Sequence, residues 1–184
     1  MADLTTLANA KAWLNETSTA NDQLISRLVS AASDYIQTWL NRTFAISSYT
    51  ETRNGTDGDG MAVKNYPVTQ VTSITVDGVS IPQSTSTGMS GWTLNDTGTM
   101  IYLRGYRFTR GRSNVVLNYS AGFAATPNEI EQACIELVGL RMKDRDRIGV
   151  VSKGLAGESI TFSQKDFSDA IQTTLTNYKK VVLL

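Results

Sequence analysis

Histidine is absent from the sequence and cysteine occurs once. Without histidine, the chain lacks the commonest general base and the commonest zinc ligand of proteins. The single cysteine, Cys134, falls at an apolar position of a helical pattern, where a lone thiol is far more often core packing than a nucleophile or metal ligand. No serine, cysteine or lysine has a recognisable base nearby in sequence. The sequence therefore predicts no enzymatic activity and no cofactor.

Net charge is also absent, because 17 basic and 17 acidic residues cancel. A neutral chain offers no general attraction to nucleic acid or to an anionic membrane, so any contact with DNA has to be local. No uncharged apolar segment is long enough to span a bilayer, and the N-terminus lacks the basic and apolar regions of a secretory signal. These absences predict a soluble protein made in a reducing cytoplasm, with no membrane partner.

What is present begins with helices, in a chain whose 184 residues suit a single domain. Residues 4–15 have the apolar spacing of a short helix, with Asp3 or Thr5 as its cap. A longer helix follows, capped by Thr19 or Asn21, and its broad apolar stripe continues for about five turns. So wide a stripe predicts packing partners on more than one side.

Helical periodicity returns near the C-terminus. Thr126 as cap, Pro127 at the first helical position and Glu129 three residues after the cap form the clearest helix start in the sequence. A last helix is predicted from about Asp166 to Lys180.

Between the second and third helices the sequence has the short β-branched and aromatic runs of antiparallel strands. Asp77-Gly78 accepts the positive φ angles of a type I′ turn, which makes the hairpin around it the clearest β feature. The fold class is therefore predicted as α+β: a scaffold of about four helices with an antiparallel β-rich insertion. The predicted strands are Ser47–Arg53, Met61–Lys64, Val68–Val76, Val79–Ile81, Trp92–Leu94, Thr99–Leu103 and Asn114–Tyr119.

The third of these strands is rich in hydroxyl side chains. Strict alternation predicts that one set of its residues faces a core and that the other set faces outward. Val71 does not fit the polar set, so it either marks a bulge or meets a neighbour. The inward set is Val68, Thr72, Ile74 and Val76, and the outward set is Thr69, Val71, Ser73 and Thr75.

Two Gly-rich stretches are candidate ligand sites. Asp57 and Asp59 resemble the start of a calcium loop, but the glutamate that completes such a loop is missing, which favours an exposed turn. The segment GLAGES, residues 154–159, lacks the Gly-Lys-Ser/Thr ending of a phosphate loop, which favours a linker.

Basic residues cluster at the end of the third helix, where Arg141, Lys143, Arg145 and Arg147 alternate with aspartates. They are able to contact a phosphate backbone, but a solvated helix end or a salt-bridge seam between subunits has the same pattern. The apolar segment 181–184 after the last helix leaves a similar choice, between packing on its own chain and inserting into a partner.

The order of elements resembles a known family. The stretches LTTLANAKAWLN, NYPVTQVTSITVDG, LNYSAGFAATPNEIEQACIELVGLRMKDR and GESITFS, with a last helix ending in YKK, are similar to the tailed-phage head–tail connectors. These adaptor or head-completion proteins form a ring beneath the portal, and the resemblance covers nearly the whole chain.

The resemblance implies a structural virion protein of the neck, made in the bacterial host cytoplasm. It implies a homo-oligomeric ring, usually a dodecamer matching the portal, through which genomic DNA passes without specific contacts. The portal would bind on one side and a tail-completion (stopper) or tail protein on the other. Portal-binding residues would be Phe167, Leu175, Tyr178, Lys179, Lys180, Val181, Val182, Leu183 and Leu184. Intersubunit or channel-facing residues would be Arg141, Lys143, Arg145, Arg147 and Lys153.

The resemblance also implies a domain plan. Residues 1–148 would form a connector domain with 43–120 as an inserted β subdomain, and 149–184 would form a Gly-rich linker and C-terminal arm. Compact family members have a smaller β region, which leaves open what the insertion contacts. The alternative hypothesis from the residues is a small-ligand or carbohydrate-binding module, in which Trp92 and Tyr102 on the β insertion form a stacking surface.

Overall fold

The computed structural model describes residues 2–86, 88–145, 152–155, 158–161, 167 and 169–180. Four helices and nine strands in these ranges confirm the predicted α+β class, and seven strands lie between the second and third helices. The helices are α1 (Leu7–Leu14), α2 (Asp22–Leu40), α3 (Asn128–Asp144) and α4 (Asp169–Thr176). The strands are β1 (Ser47–Gly55), β2 (Gly60–Ala62), β3 (Val68–Val76), β4 (Val79–Ser80), β5 (Gly91–Leu94), β6 (Met100–Arg104), β7 (Gly111–Ala121), β8 (Ser152–Leu155) and β9 (Glu158–Thr161).

The chain forms two compact units. A helical unit combines Met1–Phe44 with Thr126–Lys180, and a β unit contains Ala45–Ala125. Within the described residues, no helix has the length and apolar character that crossing a membrane requires.

The helical unit is built around α2, which buries one side of its broad apolar stripe. Ile25, Val29, Ile36 and Leu40 are buried there, while Leu24, Leu28 and Tyr35 on the neighbouring stripe are only half-buried. Buried α3 residues such as Ile130 and Leu137 supply apolar partners.

Both residues predicted as the N-terminal cap of α1, Asp3 and Thr5, are wrong. Helix α1 is capped by Thr6, whose hydroxyl accepts a hydrogen bond from the Asn9 backbone N–H (3.2 Å). Thr5 is buried instead and donates to Glu131 Oε1 at 2.9 Å. Asp3 does not hold the cap position either.

The capping box predicted at the start of α3 is also wrong. The helix begins at Asn128, so Pro127 occupies the cap position with an extended ψ of 136° and no side chain caps the helix. This one-residue shift removes Glu129 from the third helical position, from which a capping-box carboxylate reaches back to the cap. Its carboxylate accepts a hydrogen bond from the Tyr178 hydroxyl (3.0 Å) instead.

The β unit contains a four-stranded antiparallel sheet in the order β1-β7-β3-β4 and a three-stranded sheet in the order β2-β6-β5. Strand β7 is central because it pairs with β1 on one side and with β3 on the other. Its alternate residues Val115, Leu117, Tyr119 and Ala121 are all buried. The first and last strands of the unit are therefore neighbours, with Ser47 opposite Ala121.

Strand β3 departs from strict alternation because it contains two bulges. Its register against β7 shifts between Val68 and Gln70, and again between Val71 and Ser73. Each bulge adds one residue and reverses which side the following residues face. The core-facing residues are therefore Val68, Val71, Ile74 and Val76, with Val71 packed against the buried cluster. The prediction that Thr72 faces inward is wrong, since Thr72 is exposed, and Val71 marks a bulge as one of the two readings expected.

The remaining predicted strands are confirmed to within a few residues. The longest extension is β7, which the sequence predicted from Asn114 to Tyr119 and which runs from Gly111 to Ala121. Strands β8 and β9 form an antiparallel pair in the Gly-rich stretch predicted to be a linker.

Candidate interaction surfaces

Phe167, which precedes the C-terminal helix α4, packs against α2 of the same chain, and α4 itself contacts α3. Phe167 is buried, and its ring centroid lies 5.4 Å from that of Tyr35 and 6.0 Å from that of Trp39. Leu175 is fully buried. In the isolated chain these two predicted portal-binding residues are covered by their own fold, so their side chains hold the arm in place.

Tyr178 continues this docking. Its ring lies 6.3 Å from that of Phe44, and its carbonyl oxygen accepts a hydrogen bond from Arg42 (3.3 Å). Partial burial, together with the hydrogen bond to the Glu129 carboxylate, raises the pKa of the Tyr178 hydroxyl. The hydroxyl therefore stays protonated at neutral pH and donates its hydrogen bond to Glu129.

The two lysines after Tyr178 differ in their exposure. Lys179 is exposed, with its ammonium group 4.9 Å from the centre of the Trp39 ring. Lys180 is half-buried, and its backbone N–H donates to the carbonyl of Leu40 (3.1 Å). Val181, Val182, Leu183 and Leu184 lie outside the described residues.

The residues of the basic cluster at the end of α3 differ in their exposure. The guanidinium of the half-buried Arg141 stacks over the Tyr35 ring at 5.2 Å. Lys143 and Arg145 are exposed. Arg147 lies outside the described residues, and of Lys153 only the backbone, in β8, is described. An intersubunit or channel role for these residues stays a prediction.

A second basic surface lies in the β unit, on the segment 104–112, which we call the arginine loop. Its sequence, RGYRFTRGR, carries four exposed arginines: Arg104, Arg107, Arg110 and Arg112. Sequence reasoning missed this group because all of it fell in the connection between two predicted strands, Thr99–Leu103 and Asn114–Tyr119. The signal available was arginine at every second or third position.

Phe108 anchors the middle of the arginine loop. Its side chain is fully buried, and its backbone exchanges hydrogen bonds with the adjoining turn, from Asp57 N–H (2.8 Å) and to the Gly58 carbonyl (2.9 Å). The approach of the two segments is so close that a Cβ added at Gly55 would lie 1.8 Å from the Thr109 carbonyl oxygen. The loop is therefore a fixed structure that presents its arginines to solvent.

An open groove of about 510 Å3 lies beside this loop. Tyr106, Arg104 and Arg107 line it together with Asp59. Asp57 and Asp59 belong to the turn whose sequence resembles the start of a calcium loop. The described residues bring no three His, Cys, Asp or Glu side chains together as a metal site.

The stacking surface of the carbohydrate-binding alternative is wrong. Trp92 is only 8 % exposed and belongs to the apolar core of the β unit. Tyr102 is 42 % exposed. A buried indole cannot stack on a sugar, so nothing observed here favours that alternative.

Comparison with known proteins gives one family. Residues 3–181 match the family described as "Head completion protein". No curated protein sequence is similar enough to count as a match.

Three solved structures with the same fold come from gene transfer agent (GTA) particles. A chain from the neck of the empty GTA particle computed with C6 symmetry is 17% identical, with a TM-score of 0.59, and the match covers 98% of this chain and 92% of that one. A chain from the neck of the native particle computed with C12 symmetry is 15% identical, with a TM-score of 0.55 and coverage of 100% and 96%. A chain from the virion of the native particle is 17% identical, with a TM-score of 0.56 and coverage of 98% and 92%. At these identities the likeness is one of fold.

Proposed function

Because the chain belongs to the head completion protein family, we propose that it is a structural component of the phage neck that assembles as a ring on the portal. The ring extends the channel through which the genome passes and provides the platform to which the tail attaches. The protein carries out no chemistry in this role, and it resides in the virion at the head–tail junction.

The family match over residues 3–181 carries this proposal. The fold supports it, because two of the similar solved chains belong to necks computed with C6 and C12 symmetry. A twelvefold ring is the stoichiometry that a twelvefold portal would impose. The chain's neutrality also suits a conduit, since strong phosphate affinity would oppose the passage of DNA.

We assign the portal contact to the C-terminal arm, from α4 onward. Phe167, Leu175 and Tyr178 anchor the arm on its own helical unit, and the exposed Lys179 leads into the apolar segment 181–184. In this arrangement the buried residues set the position of the arm, while Lys179 and the segment 181–184 contact the portal.

Mixing the purified chain with purified portal protein tests this function. We expect the chain alone to remain monomeric or weakly oligomeric, and to form rings on the portal that mass photometry and negative-stain microscopy detect. A chain that remains monomeric and does not bind the portal would contradict the proposal.

Two variants then test the role of the arm. Phe167→Ala removes a ring packed between Tyr35 and Trp39, and we expect it to loosen the arm and weaken portal binding. Truncation after Lys180 should weaken binding without changing the stability of the helical unit. Tyr106→Ala, at an exposed site of the β unit, is the matched control and should leave portal binding unchanged.

A further inference from the structure

The positive charge of the arginine loop is not neutralised by any ion pair with the residues that the structure describes. The side chains of Arg104, Arg110 and Arg112 make no hydrogen bond or ion pair with any other residue that the structure describes. Arg107 makes one hydrogen bond, to the carbonyl oxygen of Asp57 (3.0 Å), which orients its guanidinium and leaves its charge unneutralised. Four like charges within nine residues of sequence are not a stabilising arrangement in themselves, because like charges repel each other.

The loop is held rigid at several points. Thr109 and Asn114 both donate hydrogen bonds to the Asp77 carboxylate, and Asn114 also donates to the Thr109 carbonyl (2.8 Å). These hydrogen bonds lower the pKa of Asp77, which keeps that carboxylate ionised at neutral pH. The anchor at Phe108 separates the arginines into two pairs. A surface fixed in this way loses little conformational entropy when it binds an anion.

The composition of the loop distinguishes between two classes of anionic partner. Interfaces between proteins have an apolar centre, whereas interfaces with DNA are more polar and much more positively charged. Around the buried Phe108, the loop presents arginine, glycine, threonine and a single partly exposed aromatic, Tyr106. Its guanidinium groups also match phosphate geometry.

We propose that the arginine loop is a contact site for the phosphate backbone of duplex DNA, used without sequence preference. The proposal deepens the proposed function, because it names where the conduit touches its cargo. The affinity of one chain is low, since Asp57, Asp59 and Asp77 lie near the loop and oppose phosphate. Weak contacts repeated around a ring guide DNA while still permitting it to move.

Fluorescence anisotropy of the full chain with a labelled duplex of about 40 base pairs, at about 25 mM salt, tests this directly. We expect a dissociation constant of about 10⁻⁴–10⁻⁶ M that is the same for two unrelated sequences and weakens steeply with added salt. The informative variant is R104Q/R110Q/R112Q, which retains Arg107 and its hydrogen bond. Its affinity should fall at least about tenfold, and its salt slope should decrease by about one for each arginine removed.

The matched control is R27E/K64Q, which lowers the net charge by the same amount at exposed positions outside both the arginine loop and the basic cluster of α3. We expect it to bind DNA as the unmodified chain does, and circular dichroism melts should show that both variants are folded. Equal losses in the two variants would overturn the proposal, because total charge would then explain the binding.

Two further results would overturn it. One is the absence of DNA binding by the unmodified chain at low salt. The other is binding of polyglutamate, but not DNA, in an arginine-dependent way, which would indicate an acidic protein partner. Because the assay needs neither portal nor ring, its failure would leave the neck assignment standing.

Discussion

At the scale of single residues, the most consequential polar contact is buried in the β unit. Glu51 is only 7 % exposed, and its carboxylate accepts hydrogen bonds from the Tyr119 hydroxyl and from the Lys64 backbone N–H (2.8 Å). Arg53 lies 3.3 Å from the other carboxylate oxygen. The Tyr119 hydroxyl in turn accepts from the Asn65 backbone N–H (3.1 Å). Burial and the adjacent carboxylate raise the pKa of Tyr119, so it remains the donor.

Replacement of Tyr119 by Phe should destabilise the protein because it leaves two buried polar groups short of a partner. We expect the free energy of unfolding to fall by about 1–3 kcal/mol, measured by urea denaturation. Tyr49→Phe is the matched control, since its ring lies 5.8 Å from that of Tyr119 and its hydroxyl has no hydrogen bond to any described residue. An equal effect of the two substitutions would contradict the importance of this network.

Cys134 gives a prediction about pH. Burial raises the pKa of its thiol from 9.0 to about 11, although the Ser33 hydroxyl at 3.5 Å partly opposes the shift. A pKa raised by folding means that the thiol's contribution to stability is intact below pH 9 and is lost as pH rises toward 11. At pH 11 the loss in the free energy of unfolding amounts to about 2 kcal/mol.

Cys134→Ala should therefore lower stability below pH 9 and remove this part of the pH dependence, so that the difference between the two proteins narrows toward pH 11. Urea denaturation of both proteins at several pH values between 8 and 11 measures the difference, while shared titrations of lysine and tyrosine cancel. Native Cys134 should also react slowly with a thiol reagent at pH 8 and rapidly in denaturant. Parallel pH curves for the two proteins would contradict the burial of the thiol.

At the scale of elements, the sequence predicted which segments are helices and strands, because apolar spacing depends on which face meets the core. It did not predict the caps of α1 and α3, because neighbouring residues such as Thr5 and Thr6 carry the same hydroxyl group. Nor could it place the bulges of β3, because the pairing partner that defines a bulge lies about 50 residues away in β7.

The bulges of β3 make opposite predictions for two adjacent residues. Val71→Lys places a charge against the core cluster, so we expect a loss of at least about 2 kcal/mol. Thr72→Lys places the same charge on an exposed residue, and we expect a change within about 0.5 kcal/mol. Strict alternation predicts the reverse order. Urea denaturation of both variants distinguishes the two registers of the strand.

At the scale of the whole molecule, the sequence located the C-terminal arm but missed the arginine loop. The arm was found because its apolar face repeats with helical spacing, and the structure adds that Phe167 and Leu175 are covered by the chain itself. The loop was missed because its character depends on folding. Only when Phe108 is buried and β6 and β7 are paired with their neighbours is the loop between them fixed, with its four arginines exposed.

The division into two units predicts that the β unit is separable. Its entry and exit lie together, since Ala45 bridges to Phe123 and Ser47 pairs with Ala121, so a short Gly-Ser linker between Phe44 and Thr126 can replace residues 45–125. We expect the shortened chain to retain its helical circular dichroism signal and to unfold cooperatively, because α1, α2 and α3 contact one another within their own unit.

The same shortened chain also separates the two interaction surfaces. If the C-terminal arm makes the portal contact, the shortened chain binds portal as well as the full chain does, but it loses DNA binding because the arginine loop has been removed. Retained DNA binding would return that role to the basic cluster at the end of α3. Loss of portal binding with a folded helical unit would instead place the β unit at the portal.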